Sequence, residues 1–189
     1  MLNIIITFLI LSSLCLSNFQ DGMSAFNKRA LGNKGAKVPS ENINNAINLF
    51  EQALNEEDSE ETVVMLLRSY YYKGKFVNGD ENFKKNIFDK AKALSEKYIT
   101  IYPESAAIRY WYLANLGSWA EVYGILTAAY EGVADIMKNQ SEKIIEIDKE
   151  YWNGGGYFML GATHYKSPYI PFVLPWPDNS EAIRILKLS

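Results

Sequence analysis

The sequence repeats itself with a period of about 45 residues. Four positions along the 189-residue chain follow this period, with separations of 45, 46 and 45 residues, namely Ala46, Ala91, Met137 and Ala182. The predicted helix ends at Asp58, Pro103 and Lys149 are spaced in the same way. Repeats of this length are typical of helix-pair solenoids, in which each pair buries its apolar face by stacking on the next pair. The repeat therefore predicts an all-α fold, a helix-pair solenoid.

Apolar residues at spacings of three and four support individual helices within this repeat. The first predicted helix begins after Ser40 and has its apolar face at Ile43, Ala46, Ile47, Phe50, Ala53 and Leu54. A second helix follows Asp58 or Ser59, either of which can cap it, and it stops near Gly74. Residues 73–82 are predicted to form a loop, and a third helix then runs from Phe83 towards Pro103. The two-residue alternation that is typical of strands is absent.

The first seventeen residues carry no charged side chain, and the stretch from Ile4 to Leu16 is almost entirely apolar. This stretch is shorter than the about 20 residues that a transmembrane helix needs, so it predicts a signal peptide, residues 1–17, cleaved after Ser17. The less favoured alternative is lipidation of Cys15, because Leu14 is large for the position before a lipidated cysteine. We therefore expect an exported, periplasmic protein with an N-terminal extension at residues 18–39 and a helical-repeat domain at residues 40–189.

The charge balance argues against a nucleic-acid partner. The chain has 19 Lys and Arg residues against 22 Asp and Glu residues, a net charge of -3. Nucleic-acid binding depends on an excess of cationic side chains that displaces counterions from phosphate. We expect no nucleic acid among the partners.

Few residues are candidates for catalysis or for binding a metal or cofactor. His164 is the single histidine, and the repeat places it at a packing position, so we interpret it as structural. A zinc site needs several His or Cys ligands, and the glycines at 154–156 lack the strand and the spacing of a phosphate loop. We therefore expect no enzyme activity, metal or cofactor, and an enzyme using Glu121 or His164 remains the less favoured alternative.

Two aromatic segments are the candidate binding regions. Tyr112, Trp119 and Tyr123 share one helical face, where they form either part of the core, which we favour, or a wall facing a ligand or partner, with Asn115 and Glu121 supplying polar contacts. The segment 168–177 contains four prolines and cannot continue a helix. Because it is also apolar, it either folds over the core as a lid, which we favour, or presents a patch to a protein or a lipid. The candidate binding residues are Tyr112, Asn115, Trp119, Glu121, Tyr123, Tyr157, Phe172 and Trp176.

The repeat unit resembles a tetratricopeptide (TPR) repeat with an insertion. The residues that match are Tyr157, Leu160, Gly161 and His164 in a first helix, Ala46, Phe50 and Ala53 in a second helix, and the closing Pro103. The family unit has 34 residues, so each unit here would contain about 11 additional residues. The residues that depart from the family pattern are Arg68, Arg109 and Leu113.

The C-terminal half also resembles the TatT-like periplasmic proteins, the T component of tripartite (TRAP) transporters. The matching segments are 103–107, Tyr110-Trp111, 115–121, 147–151, 154–156, Leu160-Gly161, Pro168 and Asp178-Asn179. The resemblance implies a protein, soluble or tethered by a lipid, that cooperates with a substrate-binding protein in solute uptake and has no established catalytic residue. We therefore expect a non-enzymatic accessory that binds a partner protein, or a small apolar or organic-acid solute, on its concave face. A general scaffold for envelope assembly is the alternative.

The last predicted helix suggests that the repeat is incomplete. Asp178 and Glu181 have the spacing of a capping box, and an apolar run from Ala182 to Leu188 follows. No closing turn or polar cap comes after this run. We expect either that the native chain continues or that a second subunit covers this face in a homo-oligomer.

Overall fold

The computed structural model describes residues 17–35, 38–172 and 174–189, and these residues form helices and no strand. The helices are α1 (residues 17–27), α2 (Glu41–Glu56), α3 (Glu60–Phe76), α4 (Glu81–Ile101), α5 (Ala106–Tyr123), α6 (Ile125–Tyr130), α7 (Val133–Ile147), α8 (Gly155–Lys166) and α9 (Asn179–Leu186). The all-α prediction is thereby confirmed. The predicted signal peptide, apart from Ser17, and the lipidation position Cys15 lie outside the described residues.

Helix ends follow local signals in the sequence. Ser40 and Ser59 occupy the N-cap positions of α2 and α3, as predicted. Helix α4 ends at Ile101, close to the predicted boundary, because Pro103 disfavours helix at the residue before it. Ser105 is the N-cap of α5, and its side chain accepts a hydrogen bond from the backbone N–H of Ile108.

Helix α3 continues two residues past its predicted end near Gly74. Gly74 lies against the ring of Phe88, and a Cβ at this position would be 2.4 Å from Phe88 Cζ. This glycine therefore permits close packing between α3 and α4 and does not end the helix.

The described residues divide into two compact units at the boundary between Leu94 and Ser95, which lies within α4. In the first unit, α2 packs against α3. The ring of Phe19 in α1 lies 5.7 Å from the ring of Phe50, and Gly22 also lies against Phe50. Helix α1 was not predicted, since residues 18–39 were interpreted only as an extension.

In the second unit the helices pack in chain order. Helix α5 packs against α7, α7 against α8, and α8 against α9, while α5 also meets α8. The core between α5, α7 and α8 consists of Ala106, Tyr110, Leu113, Ile144 and Met159. Helix α6 connects α5 to α7.

Glycines allow α8 to approach its neighbours. Gly154 precedes the helix in the left-handed region, with φ +78°, and a Cβ there would lie 2.9 Å from the Cα of Ser189. Gly155 contacts the ring of Tyr110, and Gly156 contacts Ile145. The three consecutive glycines therefore serve packing as well as the start of α8.

Candidate functional site

Three of the predicted binding residues lie inside the second unit. The hydroxyl of Tyr112 donates to Glu96 Oε1 at 3.3 Å, and burial, with the carboxylate of Glu96, raises the pKa of Tyr112. Asn115 has no exposed surface, and its Nδ2 donates to the carbonyl of Trp111. Trp119 is also buried. These three side chains face the interior of the second unit and are not accessible to a ligand.

The remaining predicted residues on α5 and α8 are nearer the surface. Tyr123 is half-buried and stacks on Trp119, with ring centroids 4.3 Å apart. Glu121 is exposed and forms an ion pair with Lys166 at 3.7 Å. Tyr157 is half-buried in the first turn of α8. The structure therefore does not gather the predicted residues into one site.

A separate aromatic cluster links α5 to the turn before α8. Trp111 lies 5.5 Å from both Tyr110 and Trp152, measured between ring centroids, and Tyr110 lies 5.6 Å from Tyr151. Neither Tyr151 nor Trp152 was predicted to lie beside Trp111. The sequence feature that points to them is the aromatic pair Tyr151-Trp152, which is separated from the three glycines by Asn153.

The segment between α5 and α7 and the segment between α8 and α9 lie at the same end of the second unit. The ion pair between Lys166 and Glu121 joins the ends of α8 and α5. The indole Nε1 of Trp176 donates to Asp135 Oδ1 at 2.7 Å, which joins the segment before α9 to the start of α7. We call residues 124–132, 167–172 and 174–177 together the loop end.

The outer part of the loop end is a tight hairpin with Phe172 at its tip. Ile170 and Leu174 exchange two backbone hydrogen bonds, of 2.9 and 2.7 Å. Phe172 is fully exposed and has a φ of +67°, which is unusual for a bulky residue. Leu174 and Pro177 are buried. The segment therefore has a buried inner half, at Leu174 and Pro177, and a tip at which the ring of Phe172 is exposed.

Helix α6 adds further exposed apolar surface to the loop end. None of its side chains is buried, and Leu126 and Tyr130 are 84% and 91% exposed. Glu121, Glu131 and Asp135 are exposed in the same part of the unit, where Lys166 pairs with Glu121 and Lys138 Nζ lies 5.1 Å from the ring centroid of Trp176. Helix α6 was not predicted, although residues 124–130 contain no charged side chain.

A cleft of about 460 Å³ lies between the end of α8 and the start of α9. Its walls include His164, Tyr165, Tyr169, Asp178, Asn179 and Ser180. His164 is 8% exposed, and its ring lies edge-on to Trp176 at 5.0 Å. Burial lowers the pKa of His164 below its ordinary value of 6.5. The neutral imidazole is therefore the form present near pH 7.

The described residues contain no cluster of His, Cys, Asp or Glu that could hold a metal ion. Among the same residues, no helix is both long and apolar enough to cross a bilayer. Neither a protein-family model nor a curated protein sequence matches the chain.

Proposed function

We propose that this chain is a non-enzymatic helical-repeat protein that binds another protein through the loop end. The observation that carries the proposal is the exposure of three large apolar side chains at the loop end, those of Leu126, Tyr130 and Phe172. Exposed aromatic residues are enriched in the centres of protein interfaces. A hairpin that is already formed also reduces the entropy lost when Phe172 is ordered in a complex.

The packing order supports a TPR-like solenoid with inserted loops. If α5 and α7 form one pair and α8 and α9 the next, the contact between α5 and α8 is the contact between successive first helices. Residues 124–132 and 167–177 are then the insertions within the two pairs. Both insertions would contribute to the binding surface, which gives the longer repeat unit a function.

The surrounding charges favour a protein over a lipid surface as the occupant. Three carboxylates, those of Glu121, Glu131 and Asp135, are exposed there beside two cations, Lys166, which pairs with Glu121, and Lys138, which lies over the ring of Trp176. Membrane binding through anionic headgroups uses clusters of Lys and Arg, and a mixed surface of this kind is not such a cluster. A protein with an apolar pocket and basic residues at its rim would satisfy both features. By the resemblance to TatT-like proteins, we propose that this partner is the substrate-binding protein of a TRAP-type transporter in the periplasm. An envelope-assembly scaffold is the second candidate.

The test is site-specific photo-crosslinking in the native cell envelope, with a photoreactive amino acid at position 172 or, as the matched control, at 158. Phe158 is also an exposed aromatic residue, 51% accessible, but it lies in the first turn of α8, away from the loop end. We expect one dominant crosslinked protein from position 172 and none from position 158. Mass spectrometry of the adduct then distinguishes a substrate-binding protein from an assembly factor.

A second variant tests the contribution of the Phe172 ring separately from that of the hairpin backbone. Phe172→Asn removes the aromatic side chain, while asparagine tolerates positive φ, so the hairpin is expected to persist. We expect this variant to bind the crosslinked partner at least about tenfold more weakly, which is the effect of losing a dominant interface residue. Unchanged affinity, equal crosslinking from both positions, or a lipid adduct from position 172 would each contradict the proposal.

A further inference from the structure

Two segments of the first unit contain basic residues and no acidic ones. Residues 22–40 contain four Lys or Arg residues and residues 62–79 contain three, and neither segment contains Asp or Glu. The chain as a whole, by contrast, has a net charge of -3. Positive charge is therefore concentrated in two short parts of the sequence.

Arg29 joins these two segments in the structure. Its guanidinium carbon lies 4.1 Å from the ring centroid of Phe26 and 5.2 Å from that of Tyr72 in α3. The backbone carbonyl of Arg29 also accepts a hydrogen bond from the Tyr72 hydroxyl at 3.2 Å. Arg68 of α3 lies over the same Phe26 ring, at 5.3 Å. Cation–π contacts thus bring the basic residues of both segments onto one surface.

The residues that follow α1 form a turn with an exposed leucine. The N–H of Leu31 donates to the carbonyl of Lys28 at 2.8 Å, and Asn42 Nδ2 donates to the same carbonyl at 3.0 Å. Gly32 follows with a φ of +82°, in the region that favours glycine. The side chain of Leu31 is 69% exposed, and Lys28 and Lys34, before and after it in the sequence, are also exposed. The turn therefore presents an aliphatic side chain together with cations.

The end of α3 adds the same combination of groups. Arg68, Tyr72, Lys75 and Phe76 recur at spacings of three and four residues, which places them on one face of the helix. Phe76 is 50% exposed, and its ring lies 5.2 Å from the ring of Tyr72. The acidic residues of α3 lie in its first turn, about 20 Å along the helix from Lys75. We call residues 28–34 together with Arg68, Lys75 and Phe76 the basic patch.

The composition of the basic patch matches the chemistry of an anionic membrane surface. Among the described residues, no carboxylate forms an ion pair with Lys28, Arg29 or Lys34. Lys and Arg side chains are attracted to anionic headgroups, while exposed Leu and Phe side chains can enter the boundary between headgroups and acyl chains. A nucleic-acid backbone offers phosphate without such an apolar layer.

We propose that the basic patch binds the surface of a lipid bilayer that contains anionic phospholipids, with its cations at the headgroup phosphates and Leu31 and Phe76 in the headgroup–acyl boundary. The basic patch belongs to the first unit and the loop end to the second. Membrane binding and protein binding can therefore be tested, and can fail, independently of each other.

Co-sedimentation of the purified protein with lipid vesicles tests the proposal. The protein should begin at Asn18, because the apolar run at residues 4–16 would otherwise bind lipid by itself. Vesicles of phosphatidylcholine are compared with vesicles that also contain about 30% phosphatidylglycerol, at about 0.05 M and about 0.5 M salt. We expect binding to the anionic vesicles only, and at least about tenfold weaker binding at the higher salt concentration. Equal binding to both kinds of vesicle, or binding to neither, would overturn the proposal.

Paired charge substitutions locate the binding surface. Lys28→Gln with Lys34→Gln removes two exposed cations of the basic patch, and Lys149→Gln with Lys187→Gln removes two exposed cations of the second unit, so both variants have the same net charge. Each cation near an anionic surface strengthens binding about fivefold. We expect the first variant to bind anionic vesicles at least about tenfold more weakly and the second to change binding less than about twofold. Equal weakening would show that net charge alone attracts the protein and would refute the assignment.

Leu31→Ser tests the apolar contribution, and Leu126→Ser is its control because Leu126 is also exposed but belongs to the loop end. We expect only Leu31→Ser to weaken vesicle binding, by about fivefold. Unchanged vesicle binding by Leu31→Ser would contradict the proposed insertion. Poly-glutamate is the comparison for a protein partner, and we expect it to bind more weakly than the anionic vesicles. Equally tight binding of poly-glutamate would identify an acidic protein as the occupant and would also contradict the proposal.

Discussion

The imidazole of His164 accepts the backbone N–H of Asp178 and thereby joins the end of α8 to the start of α9. In a complete capping box, the side chain of Glu181 would accept this N–H. Here Glu181 instead accepts two hydrogen bonds from Arg184, at 2.6 and 2.8 Å, and these bonds lower the pKa of Glu181. The capping box predicted from the sequence is therefore half formed, and the histidine supplies the missing acceptor.

This relationship predicts that stability falls on mild acidification. Because burial lowers the pKa of His164 below 6.5, the unfolded chain takes up a proton at a higher pH than the folded chain does. The contribution of His164 to the free energy of unfolding should therefore be fully present well above pH 6.5 and be lost as the pH falls from about 6.5 towards the pKa of the folded state. The slope cannot exceed about 1.4 kcal/mol per pH unit, which corresponds to one proton.

Urea unfolding at about pH 7.5 and about pH 5.5 measures this effect. His164→Gln is the control, since glutamine does not titrate and its side-chain oxygen can still accept a hydrogen bond. His164 is the single histidine, so the native protein and this variant should differ clearly in this window. A native protein with the same pH dependence as His164→Gln would rule out His164 as the cause.

The helices could be predicted from the sequence because their signals are local. The apolar positions of α2 recur at helical spacing, and all five that are buried, Ile43, Ala46, Ile47, Phe50 and Ala53, belong to the predicted face. The start of α9 was likewise readable from Asp178 and Glu181. Local periodicity and capping chemistry determine such elements without reference to the rest of the chain.

The surface of the candidate site could not be predicted in this way. Tyr112 and Phe172 are both aromatic residues in an apolar context, yet one is buried against Glu96 and the other is fully exposed. Which of them faces solvent depends on the contact between Tyr112 and Glu96 of α4 and on the turn between Ile170 and Leu174. A short stretch of sequence determines neither feature. The cleft beside His164 was missed for the same reason, since it forms only where α8 meets α9.

Two glycines in helices of the second unit should respond oppositely to alanine. A Cβ at Gly161 would lie 2.6 Å from Leu186 Cγ and 3.3 Å from the carbonyl oxygen of Ala182, so Gly161→Ala would force α9 away from α8. At Gly117 the nearest atom would be Met137 Cε at 3.9 Å, an ordinary contact. We expect Gly161→Ala to lower the free energy of unfolding by about 1–3 kcal/mol and Gly117→Ala to raise it by about 0.5–1 kcal/mol.

Chemical denaturation of the two variants beside the native protein provides the measurement. Equal effects of the two substitutions would show that the close contact between α8 and α9 does not contribute to stability, contrary to this prediction.

Arg109 should be required for the packing of α5 and not replaceable by lysine. Its side chain is buried, its NH1 donates to Gln140 Oε1, and its NH2 donates to the carbonyl of Pro103 at 2.6 Å. Burial lowers the pKa of Arg109, with the carboxylates of Glu104 and Glu146 opposing the shift. Arg109→Ala leaves Gln140 and Pro103 without this partner, so we expect a loss of about 2–4 kcal/mol in the free energy of unfolding.

Lysine has one compact ammonium group and cannot reproduce the planar fork that reaches both acceptors. Arg109→Lys should therefore recover less than half of the stability lost in Arg109→Ala, as measured by urea unfolding. Full recovery by lysine would mean that charge alone, and not the two directed hydrogen bonds, accounts for the buried residue.

Export should remove residues 1–17, and the rest of α1 should still pack against α2. Asn18, the expected first residue of the mature protein, donates from Nδ2 to Glu56 Oε1 at 3.0 Å, and Phe19 and Gly22 contact Phe50. A protein that begins at Asn18 should therefore unfold at the same urea concentration as the full chain. A protein that begins at Lys28 should lose several kcal/mol in the free energy of unfolding, because the loss of α1 exposes Phe50.

N-terminal sequencing of the exported protein should give Asn18. A lipid-modified start at Cys15 or an uncleaved Met1 would contradict the predicted cleavage, and unchanged stability of the protein that begins at Lys28 would contradict the packing role of α1.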